Sequence, residues 1–284
     1  MRYAATAALL LGLAMQLAAQ TRTAVSVEES RFQVASVKPV IGDSASPDSR
    51  GSDRFFRSSI ELRSLVMYAY DLPEYRVLGG PAWADSDSWQ VSARAAKTVS
   101  RSETQAMVRT LLAERFRLKV HVETRQLPVY DLVVARRDGR LGPKATRAKI
   151  DCVPFLTGAR PMAESPIEPD TGFPRCTAGA RVGPDGIQPR LNGVPMSFLA
   201  DYVGRTVGRM VVDKTGITGP FDFALSHRND GLLPFLNNNT FETKAADTSS
   251  LFTALQEQLG LRLESRKGPV DVLVIDTVER PTPN

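Results

Sequence analysis

Two stretches of the chain carry the same apolar stripe at helical spacing. In residues 60–78, Leu62, Leu65, Val66 and Ala69 recur at i, i+3, i+4 and i+7, predicting an amphipathic helix and then a short strand around Val77. In residues 194–212 the stripe is Met196, Leu199, Ala200 and Val203, and Val211 falls where Val77 did. One offset of 134 residues aligns all five positions. The parallel continues beyond the helix. The turn Gly79-Gly80-Pro81 leads to a strand at Trp89–Ala93, and Gly216–Pro220 leads to an alternating strand at Phe221–Leu225.

A second helix follows in each half. Ser100 and Glu103 form a capping box ahead of Met107, Val108, Leu111 and Leu112; its counterpart starts at Ser249-Ser250 and carries Leu251, Phe252, Leu255 and Leu259. Each half then closes with two expected strands. The first pair is Phe116–Glu123 and Pro128–Val134 around a turn at Gln126-Leu127; the second is Leu261–Glu264 and Pro269–Ile275 around Lys267-Gly268. Opening strands are expected at Phe32–Lys38 with Arg54–Arg57, and at Ile187–Leu191.

This order predicts an α+β fold of two tandem β-α-β-β-α-β-β units, an internal duplication, with helices packed on small mixed sheets. The units span residues 30–138 and 184–280, joined by a Pro/Gly-rich linker, 139–183, and the second unit carries a loop insertion at 229–247. Units of about 90 residues are only marginally stable alone, so the two copies are expected to pack together.

Composition adds the compartment. Met1-Arg2 followed by the apolar run Ala4–Ala19 reads as a signal peptide over residues 1–20. No later stretch reaches the roughly 18 apolar residues of a membrane helix, so no stable membrane insertion is expected after cleavage. The formal charge of +5 is spread along the chain without an aromatic-plus-basic stripe, which argues against a nucleic-acid partner. The chain has two cysteines, Cys152 and Cys176. In an oxidising compartment they read most simply as a disulfide contributing about 3 kcal/mol.

Sequence chemistry is sparse. The two histidines, His121 and His227, fall in different halves, and no Gly-rich phosphate loop, GxSxG elbow or grouped ligand set appears. Asp201 and Tyr202 read as polar-face helix residues. Asp85 and Asp87 read as turn residues, and Asp213-Lys214-Thr215-Gly216 as a tight turn. No catalytic, cofactor-binding or metal residue is assigned. The candidate interaction surface comprises Gly79, Gly80, Pro81, Trp83, Asp85 and Trp89, with Asp213, Lys214 and Thr215 in the other half.

Two resemblances bear on function. The strand and helix order of residues 187–279 resembles the short N-terminal signalling domain of secretins and TonB-dependent transducers. That implies a periplasmic docking module. The segments Phe32–Pro39, Gly79–Trp83, Val212–Gly216 and Leu251–Leu261 resemble a large family of exported proteins expanded in acidobacteria, a domain of unknown function. Members that look fused to membrane-embedded metallopeptidases imply extracytoplasmic sensing or docking. The resulting expectation is a non-catalytic exported interaction module whose partner is an envelope protein. Its rivals are a secreted hydrolase or peptidase-associated enzyme using Asp residues between the units, and a small-ligand or glycan binder using Trp83 or Trp89.

Overall fold

The computed structural model describes residues 31–40, 49–50, 53–169, 172–177, 179–183, 186–228 and 249–281. The expected signal peptide and the 229–247 insertion lie outside the described residues.

The first half places β1 (Val34–Pro39), β2 (Ser49–Arg50), β3 (Arg54–Glu61) and β5 (Ser88–Arg94) in one antiparallel sheet of order β1-β5-β3-β2. Helices α1 (Leu62–Tyr70) and α2 (Arg101–Arg115) cover one face of it, and β4 (Val77–Gly79) follows α1. The expected stripe Leu62, Leu65, Val66 and Ala69 is fully buried, as are Val108 and Leu112 of α2. The capping box forms as read: Ser100 Oγ accepts from Glu103 N, and the Glu103 carboxylate accepts from Ser100 N. The C-terminal carbonyls of α1 find donors on α2. Gln105 donates to Tyr68 O at 3.1 Å, and Arg109 donates to Ala69 O.

In the second half β10 (Leu191–Val194) leads into α4 (Met196–Val207), β11 (Val211–Asp213) and β12 (Phe221–Phe223). Helix α5 (Leu251–Ala254) runs on as a π-helical turn, Leu255–Leu259. Leu251, Leu255 and Leu259 are buried as expected, whereas Phe252 is 46% exposed, because it points off the stripe those three define. The expected strand Ile187–Leu191 is divided. Its first part belongs to β9 (Gly186–Pro189), paired with β8 (Ala180–Gly183), and its end opens β10. From the stretch read as a linker, β7 (Ala145–Arg147) pairs antiparallel with β12 as the outer strand of the sheet β10-β12-β7. The same stretch contains the short helix α3 (Val153–Leu156).

The closing hairpins are not formed. The chain instead makes two uninterrupted strands, β6 (Lys119–Val134) and β13 (Leu261–Thr277), which pair antiparallel with each other from Lys119↔Thr277 to Val134↔Leu261. The expected turns fall mid-ladder, with Leu127 opposite Gly268 and Gln126 opposite Pro269. Prolines are tolerated there because of strand alternation. Tyr130 N donates to Met210 O, away from β13, so the nitrogen of Pro128, two residues earlier, also faces the outside of the ribbon. Asp271 O accepts from the Arg76 side chain, so Pro269 likewise faces outward. Neither missing N–H interrupts the β6–β13 ladder.

The outer strands of this third sheet, β11-β6-β13-β4, come from both halves. β11 pairs parallel with β6 in the register Val211↔Tyr130, and β4 pairs parallel with β13 in the register Val77↔Leu273. The apolar cores of the halves meet this sheet at its two ends. Leu273 and Ile275 join the first core, and Leu132 and Leu261 join the second. Between them lies the buried cluster Val129, Val270 and Val272. The expectation of two separate small sheets thus gives way to halves clasped by a ladder they share, because strands this long bond to each other more extensively than two short hairpins would.

Candidate interaction surfaces

The expected surface around Gly79–Trp89 is largely spent on internal contacts. Gly79 and Gly80 adopt positive φ and lie against Ile275 of β13. Arg63 ties the segment down, donating to Val77 O and Gly79 O at 2.9 Å each and pairing with Asp85. Asp87 pairs with Arg280 at 2.8 Å, so the two carboxylates are held by different arginines. Trp89 is 4% exposed and meets Phe116 edge-on at 5.4 Å. Trp83 is half-buried, edge-on to Trp89 at 6.5 Å and under the Arg280 guanidinium at 4.9 Å. Pro81 caps the short 3₁₀ turn that carries Trp83.

Asp213, Lys214 and Thr215 form the tight turn read from sequence. Asp213 Oδ1 accepts from Thr215 N at 2.9 Å and from Thr215 Oγ1 at 2.7 Å, while Lys214 N donates to Leu132 O. This turn follows β11 and the Gly79 segment follows β4. They therefore sit at opposite outer strands of the shared sheet and do not converge.

The histidines separate by environment. His121 is exposed on β6, with Nδ1 2.7 Å from Asp276 Oδ1. His227 is fully buried, and sequence reasoning missed its partner. Its Nδ1 lies 2.7 Å from Arg228 O, a carbonyl that can only accept, so Nδ1 donates there. Nε2 is then left to accept the Tyr202 hydroxyl at 2.7 Å. Burial pushes the Tyr202 phenol up to about 12. The available signal was the position of Tyr202 on α4, three residues after Leu199 of the apolar stripe and so toward the core rather than the polar face. Among the described residues, no group of three or more His, Cys, Asp or Glu is placed to hold a metal ion, and no helix is long and apolar enough to cross a membrane.

A group of exposed apolar side chains lies in the stretch read as a linker with the disulfide. Cys152 and Cys176 form the expected disulfide, buried with Phe155. Gly193, at φ 61°, makes room for it, since a Cβ there would come within 2.9 Å of Cys152 Sγ. The loop closed by the bond folds into a small hairpin. Glu168 N donates to Phe173 O and Arg175 N to Pro166 O, at 2.9 and 2.7 Å. Arg175 pairs with both Glu168 and Asp222, and Asp222 Oδ1 accepts from Gly193 N at 2.8 Å, fastening the hairpin to β12 and β10. On this frame Met162, Ile167 and Phe173 are 38%, 58% and 57% exposed. They make up three of the six large apolar side chains exposed among the described residues. Apolar residues without helical or strand periodicity, close to a cysteine, were the available signal.

The architecture is that of a mixed α+β protein with several small sheets, interlocked through one shared ladder and carrying one disulfide-fastened apolar loop. Residues 63–278 match the model of a family described as a protein of unknown function, DUF3738, and the chain belongs to that family. No curated protein and no solved structure matches the chain.

Proposed function

We propose that the chain is an exported, non-catalytic module that docks an envelope protein through the disulfide-fastened loop 152–176. The observation that carries this reading is the exposure of Met162, Ile167 and Phe173 on a backbone held by a disulfide and by the Arg175 ion pairs. A preorganised loop loses little conformational entropy on binding, so its apolar side chains can contribute most of their burial to affinity. The surroundings fit a protein partner. Charged side chains accompany the apolar ones on this loop: Arg160 pairs with Glu164, Arg175 pairs with Glu168, and the Arg190 guanidinium lies over the Phe173 ring at 5.7 Å, a mixture of apolar and charged groups that suits a protein interface. The apolar stretch Ala4–Ala19 and the disulfide support a compartment outside the cytoplasm. In this reading the docking site shifts from Gly79–Trp89 to the loop, because Trp89 and the glycines are already packed inside.

The test places a photo-crosslinking residue at Phe173 and irradiates the protein in an envelope extract of its own source. The reading expects one saturable crosslinked band, competed by unlabelled protein but not by an Ile167→Ser/Met162→Ser variant of unchanged melting temperature. Crosslinks that the doubly substituted competitor suppresses equally well would overturn it.

A further inference from the structure

The outer face of the first sheet contains a feature that the docking loop does not explain. Arg54 on β3 and Arg94 on β5 stand directly opposite each other across the ladder, and both are exposed. Two like charges in facing positions repel and destabilise a sheet unless something of opposite sign meets them. Asp53 answers one of them, accepting from Arg94 Nε at 2.9 Å, and that hydrogen bond holds the Asp53 carboxyl below its usual range. Among the described residues no carboxylate bonds Arg54. Arg54 and Arg94 line a cavity of about 450 Å³ together with Val34, Phe55, Phe56, Ser92 and Ala93. Val34, 65% exposed, flanks Arg94 on the β1 side, and half-buried Phe56 lies two residues along β3 from Arg54, so apolar surface borders the charges on both sides.

We propose that this cavity binds an amphiphilic oxyanion, a carboxylate or phosphate carried on an apolar body. The charged end bridges Arg54 and Arg94, whose planar N–H forks match two-oxygen acceptors. Ser92 offers a hydroxyl donor beside them. The apolar body lies along Phe56, on the same face of β3 as Arg54, where it removes from water a side chain that the sheet leaves half-exposed. Asp53, outside the cavity lining, competes for Arg94 and so tunes the affinity from beside the site. The site is independent of the disulfide loop, which belongs to the other half of the chain.

The test is calorimetric titration of the mature chain with four probes: decanoate, decyl phosphate, decanol and inorganic phosphate. The expected result is saturable binding of one or both decyl anions, weakened at high salt, with decanol and inorganic phosphate each at least tenfold weaker. The two anions tell a carboxylate site from a phosphate site. Arg54→Ser should weaken the decyl anion at least tenfold, Phe56→Ser severalfold, and Asp53→Asn should tighten it severalfold by releasing Arg94. Arg54 is exposed and faces Arg94, so Arg54→Ser removes a repulsion and should not lower the melting temperature. Decanol binding as tightly as the anions, anion binding indifferent to Arg54→Ser, or no saturable heat with any probe would each overturn the assignment.

Discussion

The hydroxyl of Tyr202 and Nε2 of His227 lie 2.7 Å apart, joining α4 to the segment after β12 that bridges to Ile187 of β9. His227 is fully buried and its other nitrogen is engaged by the Arg228 carbonyl. Removing the hydroxyl takes a donor away from a buried nitrogen, which adds desolvation cost to the small net value of one hydrogen bond. Tyr202→Phe should therefore destabilise the protein by about 1–3 kcal/mol, read as a lower urea midpoint with unchanged slope. An unchanged midpoint would mean that the pair is incidental to the fold.

The same phenol predicts an alkaline limit. Burial raises Tyr202 to about 12 and also raises Tyr70 and Tyr75 above their usual 10. These groups ionise more readily in the unfolded chain, so the folded state holds more protons between pH 10 and 12. Their contribution is fully present below pH 10 and is lost as pH rises toward 12. Melting temperature measured from pH 8 to 12 should fall across that window, and more shallowly in Tyr202→Phe. Parallel curves for the two proteins would sink the assignment to Tyr202.

Arg117 and Gly260 occupy matching positions, each between a helix end and one of the long strands, and both adopt left-handed backbone at φ 51° and 67°. Arginine pays a steric cost there that glycine does not. Arg117→Gly should stabilise the protein by about 1 kcal/mol. Gly260→Ala should do the opposite and by more, since its Cβ would come within 2.6 Å of Gly142 N in addition to the conformational strain. Thermal denaturation of the two variants tests the contrast. A stabilised Gly260→Ala would show that the Gly142 approach relaxes freely.

How far the sequence reading reached follows from the range of the interactions. Leu62, Leu65, Val66 and Ala69, like Met196, Leu199, Ala200 and Val203, lie on one face of a single helix, and all are buried as their spacing implies. Cys152 and Cys176 needed only each other. The hairpins failed because Gln126-Leu127-Pro128 and Lys267-Gly268-Pro269 carry local turn chemistry, whereas the partner that straightens each segment lies in the opposite half of the chain. The fastening of the 152–176 loop was out of reach for a similar reason. Its Pro and Gly residues indicate a connection, and nothing local shows that Arg175 reaches Glu168 and Asp222 to hold Ile167 and Phe173 outward. Arg54 and Arg94 face each other only once β3 and β5 are paired.

The outward-facing prolines support a last prediction. Among the described residues β11 covers β6 only at Tyr130–Leu132, so the edge from Lys119 to Val129 is open, with Val122 66% exposed along it. An open edge with free donors can pair with another copy of itself, and proline removes one such donor at no cost to the internal ladder. The same holds for Pro269 on the open side of β13. Replacing Pro128 and Pro269 with valine restores both outward N–H groups and raises strand propensity. Sedimentation velocity should then reveal concentration-dependent self-association absent from the parent, with little change in the urea midpoint of the monomer. Should the doubly substituted protein instead gain several kcal/mol of stability without associating, the prolines would be facing the shared ladder, and the outward orientation assigned to them would be wrong.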